Sequence, residues 1–267
     1  LASRNLVYES LSLRSRESTG GGRILSIMTA EAGLIDVFVF GGPKSKLRSL
    51  ASPYSSGRAF VYQEPGRDMG KLSDYEVRES FPGLREGLRK IWGAGLIAEF
   101  LLKTRGGGGD YGEVLSLARD ALRALEAGAD EDADYPILLF IWRMIEILGL
   151  EPELDLCVSC GLPIAESAPR FYSFQSGGFL CASCAGAEEG RACRSPAGPA
   201  SAAPAEAALL AGAARWLSAA RNLDFAEASS RRLDRASLDS LRALLFGLAR
   251  SAAEAPLASL EVGAGIL

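Results

Sequence analysis

Histidine is absent from this chain of 267 residues. That excludes every Ser/His/Asp and Cys/His nucleophile and removes the commonest catalytic base and metal ligand. Most hydrolase and catalytic-metal chemistries end there. Long apolar runs are missing too: none reaches the about 20 residues that a membrane-spanning helix needs. The greasiest stretch, Ile137 to Leu150, carries Arg143 and Glu146 and reads as a core helix, so no membrane partner is expected. The first residues, LASRNLVYES, lack the apolar segment of a signal peptide, which makes the cytoplasm the expected compartment. A reducing compartment argues against disulfides for the five cysteines.

A strong basic excess is also lacking, since the formal net charge is −4. Its distribution is uneven, however. Residues 41–60, GGPKSKLRSLASPYSSGRAF, hold four basic residues and no acid, whereas residues 111–156 hold 3 basic and 11 acidic ones. A local basic segment suits phosphate contacts even on an acidic protein, because charges beyond about 8 Å are screened at physiological salt. A solvated loop has the same composition.

What is present has the balance of a soluble globular protein, 48% hydrophobic and 23% charged, in a length that suits two or three folded units. Residues 5–80 alternate as strands do. Leu11 and Leu13 interleave with Ser10, Ser12 and Arg14; Ile35, Val37 and Val39 alternate across Asp36; Phe60 and Tyr62 oppose Ala59 and Val61; Lys71 to Glu79 contains Tyr75 and Val77. About five short strands in this length suggest a small closed barrel. Helical spacing follows. Leu84, Leu88, Ile91, Gly95 and Ala98 predict a first helix running to about Thr104. Asp110-x-x-Glu113 has the spacing of a capping box and opens a second helix that ends at Gly128, with Val114, Leu117, Ala118, Ala121, Leu122 and Leu125 as its buried stripe. A third spans about Pro136 to Gly149, and two more are expected near 206–221 and 237–253. Residues 185–205, rich in Ala, Gly, Pro and Ser, read as a linker.

Cys157-Val-Ser-Cys160 and Cys181-Ala-Ser-Cys184, twenty residues apart, form a C-x2-C…C-x2-C pattern. Two such turns supply four thiolates to one tetrahedral ion, and zinc is the expected one. FYSFQSGGFL between them has the form of a hairpin that would bring the turns together. Four sulfurs leave no position for water, so the site is expected to be structural. Redox use and an iron–sulfur cluster are the alternatives. Cys193 stands apart, with no histidine to activate it. Neither glycine cluster, Gly20–Gly22 or Gly106–Gly109, is followed by the Lys-Ser/Thr of a phosphate loop.

The strand region offers a ligand surface. Arg14, Arg16, Arg23, Lys44, Lys46, Arg48 and Arg58 accompany Phe60, Tyr62 and Tyr75 on neighbouring strands and loops. Cations beside aromatics hold single-stranded nucleic acid by phosphate attraction and base stacking. Alternation alone does not say which face is wet, so core positions remain open for the three aromatics.

In this order the pieces resemble a known family, the bacterial DNA repair and recombination mediator RecO. The resemblance rests on LRSRESTGGGRILSIMTAEAGLIDVFVFGGPKSK (Leu13 to Lys46), EVRESFPGLREGL (Glu76 to Leu88), LGLEPELDLCVSCG (Leu148 to Gly161) and FYSFQSGGFLCASC (Phe171 to Cys184), and covers about residues 5–184. Two departures stand out: Gly20-Gly21-Gly22 replaces the family's acidic turn, and an alanine-rich tail follows Cys184. The resemblance implies an α+β fold: an N-terminal five-stranded OB-like barrel (1–80), then a helical domain (81–156 and 206–267) that carries a four-cysteine zinc ribbon (157–184). It implies no enzyme. Such proteins bind single- and double-stranded DNA, anneal strands, and act with RecR to load recombinase onto DNA coated by single-stranded-DNA-binding protein, whose acidic C-terminal tail they receive in an apolar groove. Nucleoid association would follow. We assign that groove to Arg119, Arg123, Leu139, Trp142, Arg143, Ile145 and Leu148. A zinc-ribbon protein that reads RNA or docks on the transcription apparatus is the alternative.

Overall fold

A computed structural model describes residues 4–18, 21–41, 45–64, 66–67, 69–192 and 206–263. Five strands come first: β1 (Asn5–Glu17), β2 (Arg23–Thr29), β3 (Gly33–Val39), β4 (Ser55–Tyr62) and β5 (Gly70–Ser80), with a short helix α1 (Lys46–Leu50) between β3 and β4. They close into a barrel of order β1-β2-β3-β5-β4, with every pairing antiparallel except the short β3–β5 one. This is the OB-like barrel expected from sequence. Closure limits the strand edge open to a second chain, although β3 and β5 pair only at Val37–Gly70 and Phe38–Lys71.

Alternation explains the interior. Leu25, Ile27, Val37, Val39, Ala59, Val61 and Leu72 point inward and are almost fully buried. Helix α1 was not anticipated within the basic loop. Leu47 and Leu50, three residues apart, pack with Ala51 against this core. Tyr75 also lies inside, 1% exposed, and its hydroxyl donates to the Ser55 carbonyl at 2.7 Å. Burial pushes the Tyr75 phenol pKa up, and bonding to Ser10 only partly offsets that. A bulge decides its direction: Val61 pairs with Leu72 but Phe60 with Asp74, so Ser73 is an extra residue. Leu72 and Tyr75, three apart, therefore share the inner face.

Helices α2 (Leu88–Lys103), α3 (Tyr111–Ala127) and α4 (Asp134–Ile147) follow. Asp110 caps α3, accepting from the amides of Gly112 and Glu113, and the whole stripe expected for α3 is buried. For α2 the expected phase is corrected. Leu88 is 63% exposed and Ile91 half-buried, while Trp92, Leu96, Ile97, Phe100 and Leu101 form the core side. The helix α9 (Ala258–Val262) packs on α2: Trp92 Nε1 donates to the Ser259 carbonyl at 2.7 Å. Glu99 then caps α9, accepting from the amides of Ala258 and Ser259 at 2.8 Å each.

The chain divides into two compact units, one formed by the described residues up to Phe140 and from Ala253 onward, the other by Ile141–Ala252. This division runs within α4, so the barrel and the first helices fall in one compact unit. Barrel and helices α2, α3 and α9 share a unit because Arg119 of α3 reaches the barrel strands, donating to Ser56 Oγ at 2.6 Å and the Ser10 carbonyl at 3.3 Å.

The second unit holds a three-stranded antiparallel sheet, β7-β6-β8, from β6 (Arg170–Ser173), β7 (Gly178–Leu180) and β8 (Glu206–Leu209), with helix α5 (Ala182–Ala192) after β7. Two expectations are corrected here. Helix α5 extends into the segment read as linker. Residues 206–209, read as helical from their alanines, form β8, because β6 offers an open edge and Ala207 and Leu209 alternate inward. Helices α6 (Ala211–Ala220), α7 (Phe225–Ser230) and α8 (Arg235–Ala253) complete the unit. Residues 193–205, with Cys193, lie outside the described residues. Among the described residues no helix is long and apolar enough to cross a membrane.

Candidate nucleic-acid interface and metal centre

The barrel's outer face carries a row that runs from strand to strand. Arg16 pairs with Ile24, Ile24 with Phe38, Phe38 with Lys71, and Lys71 with Tyr62. Neighbouring strands lie about 4.8 Å apart, so these side chains are contiguous. Phe40, just past β3, joins them: it is 54% exposed, its ring centroid is 4.4 Å from that of Phe38, and Lys71 Nζ sits 5.6 Å from its centroid. Alternate outward residues of β4 continue the surface, with the Arg58 guanidinium 6.0 Å from the Phe60 centroid. Phe38 and Phe40 were missed from sequence, although both fall on the wet face opposite Val37 and Val39. Gly22 makes room for Phe38: a Cβ there would lie 2.3 Å from Cζ of that ring. Gly22 thus lets the Phe38 ring lie over its backbone.

Charge pairing sorts the predicted cations. Arg16 is paired with Asp36 at 2.8 Å and Arg58 with Glu76 at 2.6 Å. Lys71 shares Glu64 with Arg67. Among the described residues Arg14, Arg23 and Lys46 have no ion pair, and Arg14 and Lys46 are exposed. Lys44 lies outside the described residues, as does the side chain of Arg48. Tyr75, buried, is removed from the predicted stacking set. The face combines aromatics that a base can stack on with cations that a phosphate can meet.

In the second unit the four cysteines converge. Their sulfurs all lie within 4.8 Å of one another, with Cys160 and Cys181 at 4.0 Å. Local folding brings this about. The amide of Gly161 donates to the Cys157 carbonyl at 2.8 Å and closes the first turn; the amides of Cys184 and Ala185 donate to the Cys181 carbonyl and close the second. The amide of Val158 donates to the Phe179 carbonyl at 2.8 Å, tying the first turn to β7. Gly178 permits that approach, since a Cβ there would meet Cβ of Val158 at 3.0 Å. Beneath the turns, Arg170 is 2% exposed and donates to the carbonyls of Leu154 and Ala168 and to Asp155. It is a brace, and no sequence pattern points to it.

Two of the thiols, Cys157 and Cys184, differ in acidity. Burial would push the Cys157 thiol up, but the amides of Cys160, Cys181 and Ser159 outweigh burial and bring it down to about 6. For Cys184 the Ser159 hydroxyl lowers the value, but the sulfurs of Cys181, Cys160 and Cys157 and burial push it up to about 12. One thiolate therefore forms readily and further negative charge is resisted until a cation compensates it. Tetrahedral thiolates at about 2.3 Å from an ion lie about 3.8 Å apart, which this cluster fits.

Residues 6–81 match the family described as Recombination protein O N terminal, and residues 85–261 the one described as Recombination protein O C terminal. The chain belongs to the RecO family. It is 31% identical to the DNA repair protein RecO of Anaeromyxobacter sp. (strain K) over 175 residues, which cover 65% of this chain and 68% of that protein. With the DNA repair protein RecO of Pelotomaculum thermopropionicum it shares 30% identity over 178 residues (66% and 67%), and with that of Desulforudis audaxviator 29% over 195 residues (70% and 74%). This RecO-family chain therefore belongs with proteins of DNA repair and recombination.

The groove assigned from sequence is corrected on this RecO frame. Leu139 and Trp142 are fully buried and Ile145 is 1% exposed, so these residues are core and offer no wet groove. Arg143 donates to the carbonyls of Ala220 and Leu223, and its guanidinium lies 5.5 Å from the Phe225 centroid. Arg119 braces the barrel as described. Arg123, exposed, is held by Glu79 and Asp120 at 2.6 and 2.8 Å. The arginines are spent on the protein itself.

Proposed function

We propose that this chain is a DNA-binding recombination and repair mediator whose barrel holds single-stranded DNA across the Arg16–Ile24–Phe38–Lys71–Tyr62 row and Phe40. That row carries the reading. Exposed Phe40 and half-buried Phe38 and Tyr62, on either side of Lys71 of β5, give stacking surfaces worth about 1–3 kcal/mol per base, and the cations beside them attract phosphates. Duplex DNA, whose bases are already stacked, would be held through phosphate contacts alone. A protein that grips single strands by their backbone and bases, and then releases them into a duplex, is suited to anneal complementary strands. Membership of the RecO family supports the wider role: loading recombinase, together with RecR, onto DNA coated by single-stranded-DNA-binding protein, whose acidic tail would be bound at a surface other than the buried α4 stripe. The activity is binding rather than bond-making.

The four thiolates are proposed to hold one zinc ion with a structural purpose. Four sulfurs fill a tetrahedral ion, and the small sheet beside them has too little core to order two turns unaided. A competition titration of single-stranded DNA, duplex DNA and RNA of equal length tests the main reading. Single-stranded DNA is expected to compete best; a clear preference for structured RNA would replace this reading with an RNA-binding one.

A further inference from the structure

A small pocket lies between α1, the first residues of β4 and the segment that follows β5. Its volume is about 240 Å³. Pockets that take a whole small molecule run to about 300–1,000 Å³, so this one suits a single group of a larger ligand. Its polar lining is of one kind. Ser49, Ser52, Tyr54, Ser55 and Ser80 contribute hydroxyls, Arg85 contributes the only charge, and the other lining residues are apolar. No carboxylate lines it. The acids nearest in sequence stand outside: Glu79 is held by Arg123 at 2.6 Å, and Glu86 is not part of the lining.

Tyr54 has a φ of 64°, in the left-handed region that a bulky side chain rarely adopts. Neighbouring bonds hold it there. The Tyr54 amide donates to the Ser12 carbonyl at 2.8 Å, the Ser12 hydroxyl is shared between the carbonyls of Ser52 and Ser55, and the Ser55 amide donates to Ser12 Oγ at 2.9 Å. Such conformations persist where the surroundings over-determine them, and they cluster at ligand clamps. What these bonds leave over is a set of donors. Among the described residues neither the Tyr54 hydroxyl nor the Arg85 guanidinium has a hydrogen bond or ion pair, and Arg85 is exposed. Burial pushes the Tyr54 phenol pKa up and the Arg85 charge acts against it, which places the two groups near each other. Ser52 Oγ and Ser55 Oγ lie 3.2 Å apart, and only one can donate in that bond, which leaves the other proton for a ligand. Lys46, exposed, precedes Ser49 by three residues on α1 and so stands beside it.

Hydroxyls and a guanidinium without a competing carboxylate are what proteins offer to the phosphates of a nucleic-acid backbone. We propose that this pocket holds a phosphate group of the strand that the barrel binds, with Arg85 as its counter-charge and Tyr54 and Ser80 as hydrogen-bond donors. The proposal rests on the DNA-binding reading above and adds to it a contact away from the stacking row. Ser55 and Tyr62 are the first and last residues of β4, so at about 3.3 Å per residue the pocket lies about 23 Å along the strand from that row. One strand would be gripped at two places, by its bases at the row and by its backbone at the pocket. An internal phosphodiester and a terminal phosphate present the same oxygens, and the test separates them.

The test uses the full chain and the variants Arg85→Ala, Tyr54→Phe and Phe40→Ser, with an unchanged melting temperature verifying folding. Arg85 is exposed, and the Tyr54 hydroxyl has no bond within the protein to lose. The probes are fluorescent oligothymidines without a terminal phosphate and with one at either end, titrated over a range of salt. With an internal phosphodiester in the pocket, Arg85→Ala should bind every strand about tenfold more weakly and lower the salt slope by about 0.7, while Tyr54→Phe should bind several-fold more weakly with its slope unchanged. With a terminal phosphate there, the parent should prefer a phosphorylated strand, and both variants should lose that preference alone. Parent-like affinity and slope in both variants on all strands would overturn the proposal. So would a loss in Arg85→Ala with none in Tyr54→Phe, which would make Arg85 a surface cation and leave the pocket unused. A loss in both pocket variants beside an unaltered Phe40→Ser would strike the stacking row and leave the pocket standing.

Discussion

Arg119 and Arg123 lie one helical turn apart on α3, yet their removal should differ severalfold in cost. Arg119 has a side chain only 22% exposed, donates to Ser56 Oγ at 2.6 Å and the Ser10 carbonyl at 3.3 Å, and lies 3.7 Å from Glu9. Ser10 and Ser56 are themselves buried. A hydrogen bond from a charged donor contributes about 1.5–3 kcal/mol, and the longer second contact adds little. Ser56 retains its own bond to the Ser10 carbonyl at 3.2 Å, which limits the damage. Arg119→Ala should therefore cost about 2–3 kcal/mol, or roughly 4–12 °C in melting temperature for a unit of this size. Arg123 makes more contacts, two to Glu79 and one to Asp120, but its side chain is 51% exposed. Surface pairs contribute about 0–1 kcal/mol, so Arg123→Ala should lower the melting temperature by a few degrees at most. Urea unfolding read by hydrogen exchange at the β1–β4 amides measures both in the unit where they reside. Equal losses in the two variants, within about 0.5 kcal/mol, would refute the assignment of Arg119 as the tie between α3 and the barrel.

Glu99→Ala should detach α9 at a cost of about 1–2 kcal/mol and change the fluorescence of Trp92, which bonds Ser259. Burial acts to raise the Glu99 pKa, but the bonds from Ser259 and Ala258 and the charge of Lys103 outweigh it and hold it below the ordinary value. A lowered carboxylate pKa stabilises the fold above the unfolded value, and that contribution is lost as pH falls through the lower folded one. The Trp92 signal should thus move in acid in the parent and not in Glu99→Ala. Zinc should be present at about one ion per chain, and Cys160→Ser should lose it, as read by elemental analysis. Because the Cys184 thiol is pushed up to about 12, it holds its proton at neutral pH, so metal uptake must displace that proton and affinity should fall as pH falls. Arg14→Ala, Arg23→Ala and Lys46→Ala should each lower the salt slope of single-strand binding by about 0.7, whereas Arg58→Ala, already paired with Glu76, should change it less.

Several elements were legible because one physical rule decided them. Strand alternation separates the two faces of β3 and β4, the 3.6-residue period predicts all of the α3 stripe, and the C-x2-C spacing names four residues that the fold brings within 4.8 Å. Errors arose where a second element decided. Tyr75 turned inward because Ser73 is bulged, a shift that no period-two count reveals. The α4 stripe read as a groove is core, since periodicity identifies an apolar face and not what covers it. Residues 206–209 became a strand through pairing with β6, against their alanine content. Phe38 and Phe40 were readable as outward residues, lying on the face opposite Val37 and Val39, but only the barrel's closure sets them beside Lys71.

The most direct measurement is an equilibrium titration of the parent and Phe40→Ser with a fluorescent oligothymidine and with an abasic strand of the same length. Phe40 is 54% exposed and supports no core, so its loss should leave folding intact. If bases stack on the barrel, the parent should prefer oligothymidine over the abasic strand, and Phe40→Ser should lose about 5- to 150-fold on oligothymidine, matching about 1–3 kcal/mol for one stacked base. Its affinity for the abasic strand should not change. Equal binding of both strands by the parent, or an unaltered oligothymidine affinity in Phe40→Ser, would contradict a base-stacking role for this face.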